Sequence, residues 1–236
     1  MTDDLLVALA VDPGRSAILL DVDGTLAPIV SRPEDARIPD GTRAELARLA
    51  GRYALVACVS GRPGTDVTRM LDVSGVAVVG EHGLELAPEA GRWADAIAAF
   101  AQSVDWPAEQ KPLSASFHYR RADDEAAARA YLTQVAARAE KEGLVPRWGR
   151  KVLEIRPPVE ANKGTAVREL VRRAGVDRAL YAGDDSTDVD AFRGLDGLEL
   201  AVRVAVRSRE SPAELLAAAD LIVDDTEGVL NLLRQL

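Results

Sequence analysis

The sequence offers little that would support secretion or insertion into a membrane. Its 236 residues contain one cysteine, Cys58, which cannot form an internal disulfide and suits a reducing compartment. The first apolar run, residues 5–11, is far shorter than the roughly 20 residues that span a bilayer. The acidic start also lacks the basic residues of a secretory signal. We therefore expect a cytoplasmic protein with no membrane partner.

Positive charge is scarce as well. The 29 Lys and Arg residues are outnumbered by 38 Asp and Glu residues, which gives a net charge of -9. Such a surface repels nucleic acids at long range, so no nucleic-acid partner is expected, although a local cluster of Lys and Arg can still hold a small anion. Hydrophobic residues make up 47% of the chain, which excludes a wholly disordered protein. At roughly 150 residues per domain, the chain forms one or two domains.

Short apolar runs alternate with helical patterns along most of the chain. The runs predict buried strands at residues 16–20, 55–59, 76–79, 179–182 and 221–223. The helical patterns lie at residues 43–49, 65–71 and 165–173. This alternation predicts an α/β fold with a doubly wound, Rossmann-like parallel sheet. Because ligands of such sheets bind beyond the carboxyl ends of the strands, the residues directly after each strand are the candidates for chemistry.

The middle of the chain has a different pattern. Its predicted elements are a half-exposed strand over residues 113–119, a helix over 123–142 and a strand over 151–155. They indicate a smaller α+β unit with one open sheet face, inserted into the larger domain because the parallel-sheet pattern resumes after it. We therefore predict a discontinuous core of residues 1–88 and 161–236, with an inserted domain of residues 89–160.

The first candidate for chemistry follows the strand at residues 16–20. Asp21 and Asp23 are separated by one residue, and Gly24 then frees the backbone to turn. Two such carboxylates can hold a divalent cation, or one can act as a nucleophile while the other exchanges a proton. A solvated Asp-Gly turn is the alternative. The pattern does not match a calcium loop, because no third ligand precedes the glycine and no Glu closes a twelve-residue loop.

Three later segments place further polar residues at the ends of predicted elements. Ser60 and the backbone amide of Gly61 follow the second strand, and a helix N-cap is the alternative role for Ser60. Lys163 opens a helix, where amides and the helix dipole favour an anion, but the glycine of a nucleotide P-loop is lacking. Asp184 and Asp188 belong to an acidic cluster that either faces a cation or marks a helix start.

In this order, the four segments resemble the motifs of the haloacid dehalogenase-like phosphatase superfamily: Asp-x-Asp-Gly-Thr, a Ser or Thr, a Lys, and Gly-Asp-x-x-x-Asp. The resemblance implies that Asp21 attacks phosphorus to form an aspartyl-phosphate. It also implies that Asp23 protonates the leaving oxygen and later activates water. The implied phosphate-binding residues are Thr25, Ser60, Gly61 and Lys163. The implied Mg2+ ligands are Asp21, the backbone carbonyl of Asp23, and Asp184 or Asp188.

Over nearly the whole chain, the arrangement is similar to trehalose-6-phosphate phosphatases, in which the inserted domain is a cap. The similar segments include Ser60-Gly61-Arg62, Glu81-His82-Gly83, Glu109-Gln110-Lys111, His118-Tyr119-Arg120, residues 152–157 and residues 183–192. The resemblance implies that Glu109, Lys111 and Glu154 of the cap bind sugar hydroxyls, because carboxylates accept hydrogen bonds and lysine donates them. It gives lesser roles in shaping the sugar or phosphate site to Arg62, His82, His118 and Arg120.

Two departures from that family's pattern are present. Val189 stands where a second acidic residue is usual, and Pro107-Ala108 precedes Glu109 where a glycine and a β-branched residue are common. For three of the cap residues, His118, Arg120 and Glu154, an ordinary polar sheet face is the alternative role. For His82 the alternative is a structural turn.

The preferred hypothesis is a magnesium-dependent phosphatase that acts on trehalose 6-phosphate. The alternatives are a related phosphatase acting on sucrose, mannosylglycerate or hexose phosphates, a phosphomutase, and a non-catalytic sugar-phosphate sensor. The chain is too short to hold a glycosyltransferase domain as well, so a stand-alone phosphatase is expected. The oligomeric state stays open, and a monomer is compatible with the sequence.

Overall fold

The protein divides into two compact units. The computed structural model describes residues 2–30, 32–149, 151–208 and 211–236. The first unit runs to Gly83 and resumes at Ala161, and the second unit spans Leu84–Glu160. The second unit therefore begins at Leu84 rather than at residue 89. The assignment of the two units as a catalytic core and a cap stays a prediction.

Helices and strands of both units follow one another along the chain. In chain order, the strands are β1 Ser16–Leu20, β2 Leu55–Val59, β3 Ala77–Val79, β4 Glu109–Gln110, β5 Ala115–His118, β6 Val145–Gly149, β7 Val152–Arg156, β8 Arg178–Gly183, β9 Leu200–Arg207 and β10 Leu221–Asp224. The helices are α1 Thr2–Val11, α2 Asp40–Ala50, α3 Gly64–Leu71, α4 Ala94–Gln102, α5 Glu125–Lys141, α6 Lys163–Ala174, α7 Ser186–Gly194, α8 Ala213–Ala218 and α9 Asp225–Leu233. Among the described residues, no helix has both the length and the apolar character needed to cross a bilayer.

The first unit contains a six-stranded parallel sheet in the order β10-β9-β8-β1-β2-β3. Strand β1 lies between β2 and β8 and is buried along its whole length, as the apolar run that follows Ser16 predicts. Leu20 at its end lies level with Cys58 on one side and Ala182 on the other. The carboxyl ends of these three strands therefore meet at one edge of the sheet, which confirms the predicted α/β fold.

Strand β9 was not among the predicted strands. Arg203 interrupts its apolar run and Arg207 ends it. Both pair with carboxylates, Arg203 with Asp196 and Asp220, and Arg207 with Asp224, so the charged positions of the strand have partners.

The second unit is an antiparallel sheet in the order β4-β5-β7-β6, with α4 and α5 packed against one face. Phe117 and Leu153 lie in the core between sheet and helices, as the alternating pattern predicts. The prediction that the polar side of β5 is half exposed is wrong for Ser114 and Ser116, which are buried. Both lie beside Glu154: Ser116 is its partner across the strands, and the Ser114 hydroxyl is 3.4 Å from its carboxylate.

Candidate active site

Asp21 lies at the centre of the sheet edge. Its backbone N–H donates to the carbonyl of Ala182 at 2.9 Å, so the residue continues the ladder of β1 and β8 by one step. Its side chain is buried, and one carboxylate oxygen is 2.8 Å from the Lys163 ammonium. Burial and the neighbouring carboxylates of Asp188 and Asp184 raise the pKa of Asp21, while Lys163 opposes that rise.

Lys163 is held at the first turn of α6 by local and tertiary packing. Asn162 caps the helix: its side chain accepts from the N–H of Thr165 at 2.9 Å, and the Thr165 hydroxyl accepts from the N–H of Asn162 at 3.0 Å. Gly164 lets this turn approach α7 closely, because a methyl group there would overlap the carbonyl of Asp190. The amino end of α6 is thereby fixed against α7.

The Lys163 side chain is 3% exposed and ends between two carboxylates, 2.8 Å from Asp21 and 2.7 Å from Asp188. Burial alone would lower the pKa of Lys163, but the charges of Asp188 and Asp21 raise it above its usual value. The lysine is therefore a fixed cation inside the site.

Asp188 is fully buried and accepts four hydrogen bonds from described residues. One oxygen accepts from the Lys163 ammonium and from the Tyr181 hydroxyl, both at 2.7 Å. The other oxygen accepts from the backbone N–H groups of Asp184 at 3.0 Å and Asp185 at 2.9 Å. Asp188 thus ties the end of β8, the start of α7 and Lys163 together. Sequence reasoning missed Tyr181, although a tyrosine in a buried strand needs a partner for its hydroxyl.

Asp184 lies at the same edge and completes a group of three carboxylates. One oxygen each from Asp21, Asp184 and Asp188 lie within 4.8 Å of one another. Burial, then repulsion from Asp188, raises the pKa of Asp184 to about 7. Gly24, with φ +83°, allows the turn after β1 to pass beside Asp184, because a methyl group there would overlap its carboxylate. Three oxygen donors with unbalanced negative charge fit a hard divalent cation.

Asp23 points to a different partner from Asp21. Both of its carboxylate oxygens accept hydrogen bonds from the Arg62 guanidinium, at 2.6 and 2.7 Å.

Thr25, two residues after Asp23, is fully buried. Among the described residues, its hydroxyl oxygen has no hydrogen-bond partner. A buried hydroxyl without a partner is costly, so the Thr25 hydroxyl is a candidate for contact with a ligand oxygen.

The loop of Ser60, Gly61 and Arg62 follows β2 at the same edge. Ser60 is buried, and its hydroxyl accepts from the N–H of Arg62 at 3.2 Å. Ser60 is not a helix N-cap, because α3 begins at Gly64 and Pro63 holds the cap position. His82 packs on this loop: a methyl group on Gly61 would lie 2.5 Å from its Nε2. His82 thus packs against the Ser60 loop, and its role in shaping the ligand site stays a prediction.

The second unit brings most of its predicted residues into two small groups. Lys111 Nζ lies 3.4 Å from the Glu154 carboxylate, and the buried Arg156 has its Nε 3.9 Å from the other Glu154 oxygen. Glu109 lies 2.7 Å from His118 Nε2. Arg120 is exposed and belongs to neither group. Arg156 was not predicted, although it shares a strand face with Glu154 two residues before it.

Comparison with known proteins adds a family to this geometry. A family model described as "Trehalose-phosphatase" matches residues 19–221. A trehalose-phosphate phosphatase of Mycolicibacterium paratuberculosis is 34% identical over 254 residues, covering 89% of this chain and 63% of the relative. A protein of Mycobacterium tuberculosis named as an uncharacterized glycosyl hydrolase is 35% identical over 205 residues, covering 75% of this chain. The chain spans 15% of that second relative's length.

Solved structures share the fold. The C-terminal domain of a trehalose-6-phosphate phosphatase from C. albicans superposes with a TM-score of 0.77 at 22% identity, covering 99% of this chain and 96% of that one. A haloacid dehalogenase-like hydrolase from Bacteroides thetaiotaomicron superposes with a TM-score of 0.61 at 16% identity, covering 93% of this chain and 98% of that one. The chain therefore has the haloacid dehalogenase-like fold.

We predict that Tyr181→Phe destabilises the protein more than Ser16→Ala, although each change removes one buried hydroxyl oxygen. The Tyr181 hydroxyl donates to the buried carboxylate of Asp188, whereas the buried Ser16 hydroxyl donates to the neutral backbone carbonyl of Asp12 at 2.7 Å. Hydrogen bonds to charged groups contribute about 2 kcal/mol and neutral ones about 1 kcal/mol. Urea unfolding of both variants measures the difference. Equal losses would show that the Tyr181–Asp188 bond has no special weight.

We also predict that Gly61→Ala lowers the free energy of unfolding by about 2 kcal/mol, since overpacking of this kind costs about 1–3 kcal/mol. The added methyl group would press on the His82 ring. His82→Ala removes that ring, so Gly61→Ala should cost much less in the His82→Ala background. Gly91→Ala is the control, because its added methyl group meets no atom within 4 Å. Equal costs of Gly61→Ala in both backgrounds would refute the contact.

Proposed function

The chain belongs to the trehalose-phosphatase family, and on that premise we propose that it hydrolyses trehalose 6-phosphate to trehalose and inorganic phosphate. The observation that carries the proposal is the convergence of Asp21, Lys163 and Asp184 at one sheet edge. Thr25, four residues after Asp21 in the chain, adds a buried hydroxyl that no described residue engages in a hydrogen bond. A cytoplasmic location belongs to the same proposal and rests on the single, buried Cys58.

In the proposed mechanism, phosphate transfer takes two steps. A carboxylate oxygen of Asp21 attacks phosphorus, the bond from phosphorus to the sugar oxygen breaks, and Asp23 gives a proton to that oxygen. Water then attacks the phosphorus of the aspartyl-phosphate, Asp23 takes a proton from that water, and the bond to Asp21 breaks. Asp23 ends each cycle with the proton it began with, so no co-reactant besides water is needed.

Four groups are proposed to bind the phosphoryl oxygens. They are the Lys163 ammonium, the Thr25 and Ser60 hydroxyls, and the backbone amide of Gly61. Lys163 supplies the positive charge that an anionic nucleophile needs in order to approach an anionic phosphate. The buried Thr25 hydroxyl would gain the partner that the described protein residues do not provide. Fixed donors of this kind need no reorganisation when the charge develops.

We assign the proposed Mg2+ to Asp21 and Asp184, together with the backbone carbonyl of Asp23. Both oxygens of Asp188 already accept two hydrogen bonds each, so Asp188 serves to hold Lys163 and the turn at Asp184 in place. When bound, Mg2+ would offset negative charge on the phosphoryl oxygens and on the nucleophile.

The second unit is the proposed sugar-recognition domain. Glu154, Lys111 and Glu109 offer acceptors and donors for vicinal hydroxyls, and the first two lie within 3.4 Å of each other. Glu109 stays in strand β4 despite the Pro107-Ala108 departure, with its carboxylate next to His118. The choice of trehalose 6-phosphate over other sugar phosphates rests on this domain, because the sheet-edge groups contact only phosphate.

We predict Mg2+-dependent release of phosphate from trehalose 6-phosphate in preference to sucrose 6-phosphate, glucose 6-phosphate and mannosylglycerate phosphate. Asp21→Asn should abolish turnover, because an amide is not a nucleophile, and should remain folded, because asparagine has the same shape and Asp188 still pairs with Lys163. Asp196→Asn is the matched control, because Asp196 is exposed and pairs with Arg203. Better turnover of another sugar phosphate would overturn the substrate. Retained activity in Asp21→Asn would overturn the covalent mechanism, and an isomerised product without free phosphate would indicate a phosphomutase.

We predict that Asp184→Asn weakens Mg2+ binding at least tenfold, since even residues that only support metal ligands change metal affinity by about 10–100-fold when they are mutated. Isothermal titration calorimetry with MgCl2 measures the affinity directly, without turnover. Asp196→Asn serves again as the control for the loss of one charge. Unchanged Mg2+ affinity in Asp184→Asn would exclude Asp184 as a ligand.

A further inference from the structure

Arg62 and Asp23 form a two-pronged ion pair at the edge of the site. The Nε and one terminal nitrogen of Arg62 each donate to a different oxygen of Asp23, at 2.6 and 2.7 Å. We propose that Arg62 is a positioning residue that sets the orientation of Asp23, and that it does not bind sugar or phosphate. The inference rests on the proposed function only in taking Asp23 as the group that exchanges the proton.

The contacts of Arg62 favour this role. The third guanidinium nitrogen donates to the carbonyl of Pro33 at 3.0 Å, so every nitrogen of the group is engaged with protein. The planar fork of arginine fixes both the position and the plane of a carboxylate, which a lysine cannot do. The Arg62 side chain is only 17% exposed and that of Asp23 33%, so the pair is partly shielded from solvent. Such shielding makes it stronger than a surface pair.

The backbone beneath Arg62 is held by a strained turn. The N–H of Glu81 donates to the carbonyl of Arg62 at 2.9 Å, and the N–H of His82 donates to that of Ser60 at 2.8 Å. Glu81 and His82 both adopt left-handed backbone conformations, with φ of +48° and +53°. A conformation of this kind costs roughly 1–3 kcal/mol for a residue with a side chain. Two consecutive residues in this conformation persist only where their surroundings fix them, so the backbone that carries Arg62 is held rigidly.

This arrangement bears on the proton transfers of Asp23. Asp23 accepts from Arg62 through both of its oxygens, so the guanidinium holds the carboxylate in one plane. Its orientation relative to phosphorus depends on the guanidinium plane, and a shift of about 1 Å in a catalytic group can cost 100-fold in rate. Loss of Arg62 should therefore lower kcat through Asp23 and leave substrate binding nearly unchanged.

A double-mutant cycle on Asp23→Asn and Arg62→Gln tests this directly. The probe is p-nitrophenyl phosphate, which has no sugar and whose leaving group needs no proton, so kcat depends on hydrolysis of the aspartyl-phosphate. In the wild-type background, Arg62→Gln should lower kcat tenfold or more and leave KM within about twofold of its original value. In the Asp23→Asn background, Arg62→Gln should change kcat by less than about twofold. Arg62→Lys should restore only part of the rate. Arg69→Gln is the control, because Arg69 is exposed and pairs with Asp66 at 3.1 Å.

The outcomes separate this inference from the proposed function. An equal effect of Arg62→Gln in both backgrounds, or a rise in KM without a fall in kcat, would overturn the positioning role. A wild-type enzyme that hydrolyses p-nitrophenyl phosphate but not trehalose 6-phosphate would overturn the proposed substrate and leave the cycle valid. Absence of any phosphate release would overturn both. Should Arg62→Gln fail to fold in thermal melting, the same cycle with Arg62→Lys decides between these outcomes.

Discussion

The site depends on the ion pairs that the buried ammonium of Lys163 makes with two carboxylates. Removing a charge from water is costly unless partners compensate, and Lys163 is compensated by Asp21 and Asp188 at hydrogen-bond distance. Those partners come from the end of β1 and from α7, so the capped start of α6 must meet both. Lys163 balances only part of the negative charge that Asp184 and the other two carboxylates bring together, and the site therefore favours one further cation.

The sequence was sufficient to predict where the site lies. Strands β1, β2 and β8 are short apolar runs, and parallel strands that are buried on both faces have that pattern. Once they are parallel neighbours, the residues after them, Asp21, Ser60 and Asp184, must share one edge. Each observed strand end lies within one residue of its prediction. The parallel arrangement of the strands thus predicts which residues lie near one another, without any knowledge of side-chain contacts.

The partners of individual side chains could not be predicted in the same way. Arg62 and His82 follow different strands, and spacing alone could not show that one holds Asp23 while the other packs on Gly61. Helices α1 and α9 and strand β9 were also missed, because tertiary contacts compensate for their weak or interrupted patterns. Such contacts depend on distances that only the folded chain defines.

Asp184 and Asp188 show why residue type alone leaves a role open. Asp184 directly follows β8 and Asp188 lies in the first turn of α7, but sequence reasoning treats the two aspartates as interchangeable metal ligands. The two residues differ because Asp188 accepts four hydrogen bonds. A carboxylate with that many donors holds its neighbours in place and has little capacity left to bind an ion. The same reasoning applies to Val189: the position faces the protein interior, so a second carboxylate there would need its own partners. Under the proposed assignment, Asp21 and Asp184 hold the ion and Asp188 supports them, so no additional acidic residue is needed.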